Sequence, residues 1–274
     1  PITFDNWNNS KILAYWKYDD ATKPGKDSHS WLGRLNNIRT ALQGQQGDRR
    51  LRLGIAGGEW KKMMADATAR TRFASEVKKI IEQYDFDGVD FDFEWPANAS
   101  EYNNYSATVI QMRSTLGKYV YFTASLHPVS FKISPEAIDA LDFISYQCYG
   151  PAVMRFPYEQ FVKDGEAAVA YGIPKNKLVM GVPFYGSTGS LIAAYCDFVN
   201  DGLATTNEDT YTYKGNTYTF NSIETIRKKA RYVCEEDYAG IMSWDLATDI
   251  DITNNKSLLK VIKEEFEYYA NPTE

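Results

Sequence analysis

Short apolar or alternating segments recur between helix-like segments along the 274 residues. That alternation predicts an α/β fold, a (β/α)8 barrel of the TIM type, in a single domain over residues 1–274. The spacing supports it, because seven or eight strand–helix units fit this length. A doubly wound sheet is the competing arrangement. No glycine-rich phosphate fingerprint follows an early strand, which disfavours a dinucleotide fold.

The predicted strands are Ile12–Tyr18, Leu51–Gly57, Phe86–Glu94, Val120–Leu126, Phe143–Tyr149, Leu178–Tyr185 and Tyr238–Trp244. Helices are read between them. Thr71–Tyr84 carries Phe73, Val77, Ile80 and Ile81 at helical spacing. Tyr102–Leu116, Tyr158–Tyr171, Ile223–Val233 and Ser257–Tyr268 follow the same pattern. Ser134-Pro135 reads as a helix start, serine as cap and proline in the first turn. Seven strands leave the barrel one short. The first strand lies before Pro1, is Ile2–Phe4, or is missing. Between the last two strands, Tyr211–Phe220 alternates around Lys214-Gly215-Asn216 and reads as a small β-hairpin insertion.

Composition narrows the function. Net charge is −6 with no basic block, so a nucleic-acid partner is disfavoured. No apolar run reaches the ~18 residues of a membrane span. The 20 Tyr, 14 Phe and 6 Trp suit a carbohydrate cleft, where flat rings pack on sugar C–H faces. Cys148, Cys196 and Cys234 are odd in number and lack metal-type spacing. His29 and His127 are too few for a multi-histidine metal site, and no metal is expected.

The most informative segment is Asp87-Gly-Val-Asp90-Phe-Asp92-Phe-Glu94-Trp95-Pro96. Side chains two apart on a strand share a face, so Asp90, Asp92 and Glu94 point one way and Val89, Phe91 and Phe93 the other. Carboxylates ~7 Å apart repel, more so where water is scarce. Such a row beside a greasy back implies a cavity in which protonation is tuned. At the carboxyl end of a barrel strand, Glu94 stands nearest the open end. Neighbouring carboxylates sharing protons would keep it protonated as a general acid. Because the acids approach a sugar from one side, the second partner of glycoside hydrolysis must come from elsewhere. Either another strand supplies a carboxylate, or a 2-acetamido group on the substrate acts as nucleophile.

The segment resembles the DGxDxDxE signature of family 18 glycoside hydrolases, the chitinase family. Other segments agree in order. Leu53-Gly-Ile-Ala-Gly57-Gly58 is similar to the SxGG strand, with Ile55 in place of the serine. Gln147-Cys148-Tyr149-Gly150 resembles the sixth-strand motif of plant-type members, without the Asp that follows the tyrosine in many others. Gly181-Val-Pro-Phe-Tyr185-Gly186 resembles GxPxYG, and Gly240-Ile-Met-Ser-Trp244-Asp245 the eighth strand. The likeness runs from Lys11 to about Tyr268 and makes Ile12–Tyr18 the second barrel strand.

The resemblance implies a retaining, substrate-assisted hydrolase of β-1,4-linked N-acetylglucosamine polymers. Glu94 is implied as acid/base, Asp92 as the residue orienting the acetamido group, Asp90 as its proton partner, and Tyr149 as donor to the acetamido oxygen. Asp87 is implied to be structural. Trp244 is implied as the floor of the sugar site, with Gln147, Tyr185, Gly57 and Trp95 around the substrate. Trp16 and Trp60 lie near strand ends, suited to sugar stacking or to core packing. A hairpin where larger members carry an α+β module implies an open cleft and internal cleavage. The alternatives are an endo-β-N-acetylglucosaminidase acting on N-glycan chitobiose cores and a non-catalytic sugar-binding relative, a kind that usually lacks one of the two acids kept here. No cofactor is implied. The expected protein is a monomer acting on chitin or another N-acetylglucosamine-containing glycan outside the cytoplasm, secreted, cell-surface or periplasmic, with any signal upstream of Pro1.

Overall fold

A computed structural model describes residues 2–3, 31–43, 49–57, 60–150, 152–204 and 207–271. The expected strand Ile12–Tyr18, Trp16 and His29 lie outside them. The chain forms two compact units, one of Pro1–Ser125 with Lys132–Asp142, the other of Leu126–Phe131 with Phe143–Glu274.

In the first unit, β1 (Ile2–Thr3) precedes α1 (Trp31–Leu42), β2 (Arg52–Ala56), α2 (Trp60–Ala65), α3 (Ala67–Tyr84), β3 (Gly88–Asp92), α4 (Ala99–Leu116), β4 (Tyr121–Leu126) and α5 (Pro135–Ala140). The strands pair in parallel in the order β1-β2-β3-β4. Of the three readings of the first strand, the one that begins at Ile2 therefore has a paired strand. The turn into β3 depends on glycine. A Cβ on Gly88 would sit 2.0 Å from the Tyr121 carbonyl oxygen, far inside any contact distance. Asp87 fixes the same corner: its Oδ2 accepts from Leu51 N–H at 2.6 Å, and its own N–H donates to Leu51 O at 2.9 Å.

Helix boundaries follow from caps. Asp66 opens α3 by accepting from the Thr68 and Ala69 N–H groups at 2.8 and 3.0 Å, and Asp85 closes it in the left-handed region at φ 52°. Ser134 caps α5 through Ala137 N–H, with Pro135 in the first turn as the sequence predicts. Arg113 of α4 binds the Ala140, Gly117 and Val120 carbonyls and the Asp142 carboxylate, all within 2.9 Å. The apolar core lies between α2, α3, α4 and the strands. Phe73, Phe91, Phe93, Tyr105 and Phe122 are fully buried, with Phe91 and Phe122 edge-to-face at 4.8 Å. Such a ring pair adds about 0.5–1.5 kcal/mol beyond area burial. Trp60, 1% exposed, belongs to this core, so sugar stacking is not its role.

In the second unit, β5 (Phe143–Tyr146), α6 (Tyr158–Tyr171), β6 (Leu178–Pro183), β7 (Tyr185–Ser187), β8 (Ile192–Ala194), α7 (Tyr195–Asn200), β9 (Thr210–Tyr213), β10 (Asn216–Thr219), α8 (Ile223–Glu235), β11 (Gly240–Trp244) and α9 (Leu258–Ala270) follow in order. β6 pairs in parallel with β5 and β11. The predicted strand Leu178–Tyr185 is divided. Its ladder stops at Pro183, Phe184 N–H donates to Trp244 O at 2.8 Å, and Tyr185 begins β7.

The insertion is larger than a hairpin. β9 and β10 join β7 and β8 in an antiparallel sheet ordered β8-β7-β10-β9, accompanied by α7. Its two-residue turn has Lys214 at φ 46° and Gly215 at φ 77°, the paired positive values of a tight hairpin. No helix of the described residues is long and apolar enough to cross a membrane.

Candidate active site

β3 carries the acid row. Val89, Phe91 and Phe93 are fully buried, while Asp90 and Asp92 are partly exposed and Glu94 is exposed. The in–out alternation thus continues two residues past the ladder, which ends at Asp92. Glu94 stands on the exit segment, followed by half-buried Trp95 and buried Pro96. The Glu94–Trp95 peptide bond is cis, as is Trp244–Asp245.

Register supplies the neighbours of the acids. Gly54 lies opposite Asp90 and Ala56 opposite Asp92 on β2, with Thr123 opposite Asp90 on β4. Small side chains flank the acids, which leaves room above them. Ile55 lies opposite Phe91 and is 1% exposed. It therefore belongs to the apolar face, and the residues bordering the acids are Gly54 and Ala56. Gly57, at the end of β2, has φ 134°, a backbone that suits glycine.

Asp90 is held by groups that sequence reasoning missed. Ser125 Oγ donates to Oδ2 at 2.9 Å. Thr123 Oγ1 donates to Oδ1, and Arg52 Nη1 lies 3.4 Å from the same oxygen and also donates to Thr123 Oγ1. Burial pushes the Asp90 pKa above the usual carboxylate range, while Arg52 and the two hydroxyls pull against it. Period-two reading of Leu51–Gly57 and Val120–Leu126 would have placed Arg52, Thr123 and Ser125 on the acid face.

The second unit gathers the aromatic residues. Tyr149 and Tyr185, each 6% exposed, meet edge-on at 6.4 Å and pack with Phe156 and Met242. Tyr149 OH donates to Met242 Sδ at 3.3 Å, a weak acceptor. Tyr185 OH donates to Gly150 O at 3.1 Å. Gly150 has φ 154°, so the departure from Asp after Tyr149 fits its backbone. A Cβ on Gly181 would lie 2.6 Å from Tyr146 O and 2.8 Å from Tyr149 Cε1. The glycine of the GxPxYG segment is thereby what allows the Tyr149 ring to lie against β6. Gln147 is buried at the exit of β5, its N–H on Leu126 O at 2.8 Å. Trp244 ends β11 and is 49% exposed, an open ring rather than a core residue. His127 is structural. Val129 N–H donates to its Nδ1 at 3.2 Å, so Nε2 carries the proton and donates to Tyr149 O at 2.9 Å. Burial lowers its pKa.

Comparison with known proteins gives the family. The model of Glycosyl hydrolases family 18 matches residues 3–249. A curated relative, probable chitinase 2 of Drosophila melanogaster, is 23% identical over 297 aligned positions, covering 79% of this chain and 60% of the relative. The chain thus spans about three-fifths of that protein's length. Among solved structures, the GH18 chitinase from the chitin utilization locus of Flavobacterium johnsoniae gives a TM-score of 0.72 at 26% identity, covering 85% of this chain and 79% of that one. A chitinase from Bacteroides thetaiotaomicron gives 0.73 at 22% identity, covering 96% and 94%. The family match and the likeness of fold define a glycosidase-family chain of the α/β barrel class. This chain belongs to glycoside hydrolase family 18.

Proposed function

We propose that this chain hydrolyses β-1,4-linked N-acetylglucosamine polymers, chitin or chitooligosaccharides, with retention of configuration. The observation that carries the reading is the acid row: Asp90 and Asp92 both partly buried, Asp90 hydrogen-bonded, and Glu94 exposed at the strand exit. The names of the relatives reported above, each a chitinase or probable chitinase, support the substrate class.

In the first step the Glu94 carboxyl gives its proton to the glycosidic oxygen. The C1–O bond breaks, and the acetamido carbonyl oxygen of the same sugar bonds to C1 to form an oxazolinium ring. Asp92, sharing one proton with Asp90, accepts the acetamido N–H, and the net negative charge of the pair offsets the ring's positive charge. Tyr149 OH exchanges its weak sulfur acceptor for the acetamido oxygen and holds it for attack. In the second step Glu94, now a carboxylate, takes a proton from water. The oxygen of that water attacks C1, the ring opens and the acetamido group is restored. One water is consumed and the β configuration returns. Exposed Trp244 offers its face to the sugar. Gln147, Tyr185, Gly57 and Trp95 complete the substrate surroundings, and the reaction takes place outside the cytoplasm, where such polymers lie.

The test is hydrolysis of chitotetraose against a high-mannose glycoprotein, for wild type and Glu94→Gln. Cleavage of the oligosaccharide by wild type alone supports the reading. Cleavage of the glycoprotein alone moves the substrate to N-glycan cores, and equal turnover by both proteins removes Glu94 from catalysis.

A further inference from the structure

Arg52 has a place in this chain that the acid signature does not supply. Burial alternates along β2, with Leu53 and Ile55 facing the core, so Arg52 shares a face with Gly54 and Ala56. Gly54, opposite Asp90, has no side chain to block the lane between Arg52 and that carboxylate. The guanidinium reaches it: Nη1 lies 3.4 Å from Asp90 Oδ1.

We propose that Arg52 is a positioning residue that holds Asp90 ionised beside a protonated Asp92 and thereby sets the acid limit of turnover. The proposal rests on the substrate-assisted reading above.

Donor direction carries the argument. Arg52 can only donate. Because Thr123 Oγ1 accepts from Arg52, its own proton is left to donate, and Asp90 Oδ1 is a closer acceptor than Val89 O at 3.5 Å. Ser125 Oγ donates to Oδ2 at 2.9 Å. Both Asp90 oxygens therefore accept, the pattern that favours a carboxylate over a carboxylic acid. Protonation of Oδ1 would oppose two donors, and protonation of Oδ2 would require Ser125 to turn its hydroxyl. Among the described residues the other titratable groups near Asp90 are Asp92 on its own strand and the Tyr105 phenol of α4, which burial and the two acids keep neutral. Burial also works against ionisation of Asp90, and the Arg52 charge is the largest influence opposing it. Without that charge Asp90 competes with Asp92 for the shared proton and the pair takes up its second proton at higher pH.

The experiment measures kcat/KM from pH 3 to 9 on a fluorogenic chitobioside for wild type, Arg52→Lys and Arg52→Gln. Arg52→Gln is expected to move the acid limb up by about one pH unit or more, the size an opposite charge at this range produces. Arg52→Lys is expected to keep most of the wild-type limb, and the alkaline limb stays in place in both. A uniform loss with both limbs unmoved overturns the proposal. Carboxyl carbon NMR of the wild type, with Asp90 assigned through Asp90→Asn, gives a second reading that needs no Arg52 variant to fold. Between the two titration steps of the pair, Asp90 is expected ionised and Asp92 protonated, and the reverse order also overturns the proposal. An inactive wild type, or a Glu94→Gln variant as active as wild type, defeats the catalytic reading instead, and the NMR order still decides the role of Arg52.

Discussion

In the proposed reaction Glu94 and Tyr149 make separable demands. Glu94→Gln keeps size and hydrogen bonding but has no proton to give, so kcat should fall about 10²–10⁴-fold, the usual worth of a general acid. Since residue 94 is exposed, the thermal midpoint should stay within a degree or two of wild type. A parallel collapse of stability would contradict this account. Tyr149→Phe removes one donor to the acetamido oxygen and should lower kcat about 10²-fold, read from steady-state rates. The common face of Asp90, Asp92 and Glu94 was legible in the sequence because acids alternating with apolar residues have strand period. The pairing of Arg52 was not: period two gives its face, but only the register of β2 on β3 sets it against Asp90. Ile55, which stands where the SxGG motif has its serine, takes the apolar face, as period two and its burial both require.

At the scale of elements, strand interiors were readable and strand ends were not. The sequence alternation of β3 runs on to Glu94, but its ladder stops at Asp92. Period shows which face a residue takes, whereas hydrogen bonding decides where a strand ends. β6 shows the converse. Its apolar run continues to Tyr185, yet Phe184 N–H turns to Trp244 O and the chain changes sheet. The short helix α2 was missed because six residues give too little periodicity, and the partly exposed β8 because Ile192 is 64% exposed. Close approach between elements gives a direct prediction. Gly88→Ala would drive a Cβ into the Tyr121 carbonyl and should cost about 3 kcal/mol, read as a lower urea midpoint. A change below ~0.5 kcal/mol, the range of ordinary surface substitutions, would show that this corner yields freely.

For the whole molecule, pH dependence has an unusual source in Lys229. Its ammonium is fully buried, donates to Phe156 O and Asn221 Oδ1 at 2.7 Å each, and lies 4.9 Å from the Phe161 ring centre. Burial lowers its pKa from 10.5 to about 7. In the unfolded chain the lysine keeps its proton up to about 10.4, so the unfolded state binds more protons between the two values. Stability should therefore rise with pH across that window, by up to about 1.4 kcal/mol per unit, and the contribution is lost as pH falls through about 7. Denaturant unfolding of wild type and Lys229→Met from pH 6 to 10 checks this: the difference should grow with pH, and a flat difference contradicts it. The family-wide fold was legible because the acid segment and the strand–helix alternation agree. The size of the β7–β10 insertion was not, since its edge strands are too short to show a pattern.

The most direct measurement is proton NMR of the anomeric signals released from chitotetraose in the first minutes of reaction. Wild type should yield the β-anomer before mutarotation, and Glu94→Gln should yield no product on the same timescale. Initial release of the α-anomer, or undiminished cleavage by the variant, would contradict a mechanism in which the sugar's own amide closes on C1 while Glu94 supplies the proton.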